Sequence, residues 1–106
     1  MPKYLIKVSY NAEGARGLMK TGGTARRTIA DELIQKVGGK MEAFYFAHGD
    51  DDAYVLADLP NSAAAVAISL AVNASGAVRL STVPLITPEE VDAASKMALG
   101  YRPPGT

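Results

Sequence analysis

Twenty consecutive residues, Leu59 to Val78, carry no charge, and this stretch limits the fold more than any other feature of the chain. Pro60, Asn61 and Ser62 stand at one end, and Asn73, Ser75 and Gly76 at the other. The apolar part between them is shorter than the ~20 residues a bilayer span requires, so no membrane partner is expected. A helix over about 63–74 that is apolar all round has to be covered on more than one side. It therefore needs a sheet beneath it and a further surface above.

The sheet is legible in the flanking pattern. Tyr4, Ile6, Val8 and Tyr10 alternate with Leu5, Lys7 and Ser9, a period of two that predicts a half-buried strand over 4–10. From Ala12 to Val37 the pattern is helical, with a break at Gly22-Gly23 and a restart at Thr24 as N-cap. Ile29, Leu33, Ile34 and Val37 then share one face, and Gly38-Gly39 ends the helix. Lys40 to His48 and Ala53 to Leu59 read as two strands joined by the polar loop Gly49-Asp50-Asp51-Asp52. Val78 to Ile86 reads as a fourth strand, placed at a sheet edge by Pro84, which cannot donate to a ladder. Thr87-Pro88-Glu89-Glu90 is a capping box with proline in the first turn, opening a helix to about Leu99; Gly100 closes it.

The order βαββαβ with an added C-terminal helix is that of an α+β, ferredoxin-like antiparallel sheet with its helices on one face, built as one domain over 1–106. Eleven basic residues balance eleven acidic ones, and the pI is near 6.6. Nucleic-acid binders usually carry a basic face, so nucleic acid is not an expected partner. There is no cysteine and one histidine, which excludes disulfides, thiolate nucleophiles and thiolate-held zinc or haem. No metal or cofactor is expected. Met1-Pro2-Lys3-Tyr4 runs directly into the first strand without a signal-peptide core, and the expected location is cytoplasmic.

An ordered series of motifs also resembles a known family. Gly22-Gly23-Thr24-Ala25-Arg26-Arg27, Gly39-Lys40-Met41-Glu42-Ala43-Phe44-Tyr45-Phe46, the turn around Gly49, Asp58-Leu59-Pro60 and Asn73-Ala74-Ser75-Gly76 are similar to the GYD domain family of small bacterial proteins. The resemblance spans nearly the whole chain. It implies a ferredoxin-like fold of the dimeric α+β barrel type, and it brings no reaction with it. Gly49-Asp50-Asp51-Asp52 stands where the family has its Gly-Tyr-Asp-like turn.

Strand parity divides the sheet into two faces. Ile6, Val8, Phe44, Val55 and Ala57, with His48 at the strand end, belong under the helices. Lys7, Ser9, Tyr45, Tyr54, Leu56 and Asp58 belong to the other face. That second set is aromatic for an open face and polar for a monomer core, as expected where one sheet packs on a partner's sheet; an open face with exposed aromatics is the simpler alternative.

The topology further predicts that Tyr10, Asn11, His48, Asp50, Asp52, Asn73 and Arg79 gather at one mouth. His48 has the only side chain there whose ordinary titration suits proton transfer near neutrality. Asp50 or Asp52 would orient its ring, and Tyr10 would polarise a substrate; otherwise His48 is a half-exposed strand-end residue. Gly22, Gly23, Thr24, Arg26 and Arg27 combine backbone donors, a hydroxyl and two guanidinium groups, the makings of an anion site. The alternative there is a glycine-bent helix with Arg27–Asp31 and Glu32–Lys36 as surface pairs. The three aspartates lack cation-site spacing and read as a solvated hairpin tip.

Two functions fit these expectations. One is a homo-oligomer that binds a small, partly apolar molecule between sheet and helices, with the cofactor-independent monooxygenases and isomerases of the same fold superfamily as a fold-level analogy. The other is a structural or regulatory homo-oligomer. A cavity of ligand size walled by Tyr10 and His48 separates the first from the second.

Overall fold

The computed structural model describes residues 1–106. Its elements are β1 (Lys3–Tyr10), α1 (Ala12–Thr21), α2 (Gly23–Lys36), β2 (Lys40–Phe46), β3 (Ala53–Asp58), α3 (Ser62–Ala74), β4 (Val78–Leu85) and α4 (Pro88–Ser95). The four strands form one sheet in the order β2-β3-β1-β4, and every neighbouring pair is antiparallel. This is the expected α+β, ferredoxin-like sheet with an extra C-terminal helix.

Alternation along β1 and β3 decides what is buried. Tyr4, Ile6 and Val8 of β1 and Ala53, Val55 and Ala57 of β3 are buried, while their neighbours on the opposite face are half-exposed. The register shifts at Glu42, where Met41 pairs with Ala57 but Ala43 pairs with Leu56. One extra residue in β2 thus lets Met41 and Phe44 both pack against the core. Ile34 of α2, Leu59, and Ala64, Ala65 and Ile68 of α3 complete the core.

The helix ends follow their caps. Asn61 accepts the Ala64 N–H at 2.9 Å and starts α3. At α4, Thr87 accepts the Glu90 N–H while the Glu90 carboxylate accepts the Thr87 N–H, both at 3.1 Å, which completes the expected capping box. The restart of the long helical stretch differs from expectation. Gly22, at φ 86°, ends α1 and is itself the N-cap of α2, so Thr24 lies inside the first turn and caps nothing. A residue with a Cβ is strained at that φ, and glycine therefore allows the two helices to be joined by one residue.

Two further boundaries fall short of the predicted ones. β2 ends at Phe46, so His48 lies in the loop and not on the face beneath the helices. α4 ends at Ser95 and not near Leu99. Pro84 does lie on an edge strand, opposite Tyr4. Leu59 donates to the Pro2 carbonyl at 3.0 Å, and Tyr4 sits two residues along in the same register, so its backbone groups turn toward β3. The side of Pro84 that lacks an N–H faces the free edge.

Much apolar surface is uncovered. α3 buries Ala64, Ala65 and Ile68 but leaves Val66 53% and Leu70 67% exposed. Beyond β4 the chain projects from the body, with Ile86, Val91, Met97, Leu99 and Tyr101 all exposed. The radius of gyration is 17.1 Å, against about 13 Å for a compact chain of this length. No helix is long and apolar enough to cross a membrane.

Candidate functional site

The loop after β2 is fastened to the end of β1. Ala47 donates to the Asp52 carbonyl and Asp52 donates to the Val8 carbonyl, each at 2.8 Å. The Asp52 carboxylate accepts the Tyr10 backbone N–H at 2.7 Å. Asp51, beside it, accepts the Ser9 and Tyr54 hydroxyls at 3.3 Å on the opposite face of the sheet. Partial burial, with the negative charge and hydrogen bond of Asp51, holds the Tyr54 phenol above its ordinary titration range. Asp51 and Asp52 thus fasten the loop to β1 and β3, and the three aspartates form no cluster able to hold a metal ion.

Part of the expected mouth forms. An open cleft of about 760 Å³ at the ends of β1 and β4 is lined by Tyr10, Asn11, Asn73 and Arg79. Both asparagines use their amides on backbone. Asn11 accepts the Gly14 N–H at 2.9 Å and donates to the Gly76 carbonyl. Asn73 accepts the Leu80 N–H at 2.7 Å and donates to the Leu80 carbonyl at 3.2 Å. Arg79 is exposed and forms no ion pair.

His48 and Asp50 do not join this cleft. Both are exposed in the loop, while Asp52 faces a second hollow with Leu18, Met19 and Phe46, whose wall Tyr10 shares. Tyr10 and Asp52 therefore meet, but His48 lines neither space, so the expected acid–base set is incomplete. The physical reason is the early end of β2: once Ala47 bonds to Asp52, the histidine leaves the sheet.

The Gly22-to-Arg27 segment also divides. Successive residues on a helix point about 100° apart, and Arg26 and Arg27 accordingly face different spaces. Arg27 joins Gly23 and Thr24 in a shallow hollow floored by Phe44 and Phe46. Arg26 turns inward. Neither Arg27–Asp31 nor Glu32–Lys36 forms an ion pair; Lys3 makes the ones present, to Glu42 and to Asp58.

The space Arg26 faces is the feature that motif reading missed. α2 packs on β2 and α3 packs on β4, and Ile34 of α2 and Ile68 of α3 share one core between them. A slot remains between them, enclosing about 50 Å³, with Ile29, Leu33 and Ile34 on one wall and Ile68 and Val72 on the other. Ile6, Val8, Phe44 and Val55 floor it, and Arg26 is its one polar lining residue. The signal was present in the sequence: Ile29 and Leu33, like Ile68 and Val72, are four apart and line one side of a helix. Neither Tyr10 nor His48 reaches its wall.

The family model for the GYD domain matches residues 4–95. No curated protein and no solved structure matches the chain.

Proposed function

The chain belongs to the GYD domain family, and from that premise we propose a homo-oligomer, dimeric at least, that binds a small, partly apolar molecule between its sheet and its helices. The observation that carries the oligomer is surface area. The protomer exposes 7369 Å², whereas a folded monomer of its mass ordinarily exposes about 5,700 Å². The excess is about twice the roughly 800 Å² per partner of a standard interface. It is apolar where the protein has least to cover it: Leu70 of α3, Tyr45 of the outer sheet face and the projecting arm at Leu99 and Tyr101.

Binding is favoured over catalysis because no acid–base set converges on the apolar slot, whose lining ionisable group is an arginine. The oxygenase- or isomerase-like chemistry suggested by the fold superfamily accordingly ranks behind it. The small enclosed volume of about 50 Å³ favours the second reading, a structural or regulatory oligomer with a closed slot.

Native mass spectrometry of the protein purified from its host tests both parts. The expected spectrum is a dimer or larger assembly carrying a retained small molecule. A bare 11.1 kDa protomer as the sole species overturns the proposal, and a ligand-free oligomer leaves the structural reading.

A further inference from the structure

We infer that α4 of one protomer packs antiparallel against α1 of a second copy, in a reciprocal exchange of arms. This rests on the oligomer proposed above and names its contact. Every residue from Ile86 to Thr106 is exposed, so α4 joins no core of its own protomer. A capping box fixes where α4 begins, but a helix of eight residues is marginal in water without a surface to pack on. Val91 and Ala94, three apart, give it a narrow apolar seam.

α1 carries the complement. Gly14 turns the inner side of this helix toward Ala77, which leaves Ala12, Ala15 and Met19 as an outward seam, Met19 at 86% exposure. Beside that seam run Glu13, Arg16 and Lys20; beside the seam of α4 run Glu89, Asp92 and, at the C-cap, Lys96. All six are exposed and none forms an ion pair. Run in opposite directions, the two series match in sign and spacing: Glu13 meets Lys96, Arg16 meets Asp92, and Lys20 meets Glu89. A parallel alignment sets Glu13 against Glu89 and Lys20 against Lys96. Charges flanking an apolar seam select partner and direction in this way. The apolar positions keep the same register, with Met19 near Val91 and Ala15 near Ala94.

The two helices do not meet within one protomer. α1 follows the last residue of β1, whereas β4 ends at Leu85 beside Lys3, the first residue of β1. The length of β1, about 25 Å, separates these points, and the link Ile86-Thr87 is too short to span it. The occupant is therefore a second copy. Exchange counts each seam twice toward the roughly 800 Å² per partner of a standard interface.

The chain has no cysteine, so introduced cysteines report the contact. Met19→Cys protein mixed with Val91→Cys protein and oxidised should give a disulfide between positions 19 and 91 of different chains, identified by peptide mass spectrometry. Ala12→Cys with Val91→Cys, a pair that the parallel alignment brings close, should give none. In sedimentation velocity at low ionic strength, Arg16→Glu with Lys20→Glu should weaken association by at least about tenfold, and so should Glu89→Lys with Asp92→Lys. An equimolar mixture of these two proteins should recover it, because each reversed helix then meets its complement. Loss in both without recovery on mixing overturns the pairing. Oligomers that neither form the 19–91 bridge nor respond to charge reversal overturn the arm exchange and leave the proposed oligomer; wild-type protein sedimenting only as the 11.1 kDa protomer overturns both.

Discussion

The Asp52 carboxylate accepts the backbone N–H of Tyr10 at 2.7 Å, and through this bond the loop between β2 and β3 is anchored to the last residue of β1. A charged acceptor on a partly buried N–H contributes more than a neutral one. Asp52→Ala is expected to lower stability by about 1–3 kcal/mol, measured by urea denaturation. Asp50→Asn and His48→Gln, at exposed positions without hydrogen bonds, should stay within about 0.5 kcal/mol of wild type. Equal effects at positions 50 and 52 would show that loop charge, not the anchor, matters.

Leu56 lies on the outer sheet face between Leu5 of β1 and Ala43 of β2. If the proposed self-association runs through this face, Leu56→Glu yields 11.1 kDa protomers that retain the wild-type circular dichroism. Sedimentation velocity at micromolar concentration checks this; an unchanged sedimentation coefficient places the self-association surface elsewhere.

Alkaline behaviour follows from the raised titration of Tyr54. Folding keeps this phenol protonated above its ordinary value of 10.0. The associated stability is fully present below that value and is lost as pH rises through the higher folded one. Lys3 acts in the same direction: its hydrogen bonds to Glu42 and Asp58 hold it charged above 10.5. Stability should therefore decline above about pH 10. In Asp51→Asn, absorbance at 295 nm should show Tyr54 ionising at lower pH than in wild type. Burial still favours the neutral phenol in that variant, so the return to the ordinary value should be incomplete.

Gly14 faces the backbone at the foot of β4. A Cβ there would strike the Ala77 carbonyl oxygen and approach the Tyr10 ring to 3.0 Å. Gly14→Ala raises helix propensity yet is expected to destabilise the protein by about 1–3 kcal/mol, the usual range for overpacking. Thermal melting decides the sign. Gly17→Ala, in the same helix with open space around it, should stabilise by up to about 1 kcal/mol.

The strand order and the faces of the central strands were legible because alternation is a local property: Tyr4, Ile6 and Val8 announce the buried side of β1 without help from tertiary structure. The Thr87–Glu90 box was legible for the same reason. Thr24 misled because a hydroxyl after two glycines has the composition of a cap, whereas the positive φ of Gly22 had already turned the chain and begun the helix. His48 misled because β2 ends where a backbone bond between Ala47 and Asp52 closes the loop, and no local pattern encodes that closure. Asn11 and Asn73 belonged together at one mouth, as the topology required, and their amides hydrogen-bond neighbouring backbone. The adjacent arginines read as one cationic unit only while helical rotation between them is ignored.

The missing donor at Pro84 limits how copies can assemble. A strand added along β4 from outside would meet a broken rung where the proline has no hydrogen to offer, so ribbon-like growth through that rim is disfavoured. The apolar faces pointing above and below the sheet carry no such interruption. Edge-to-edge pairing at the β4 rim is thus disfavoured, and a single prolyl ring helps keep that edge from templating further strands.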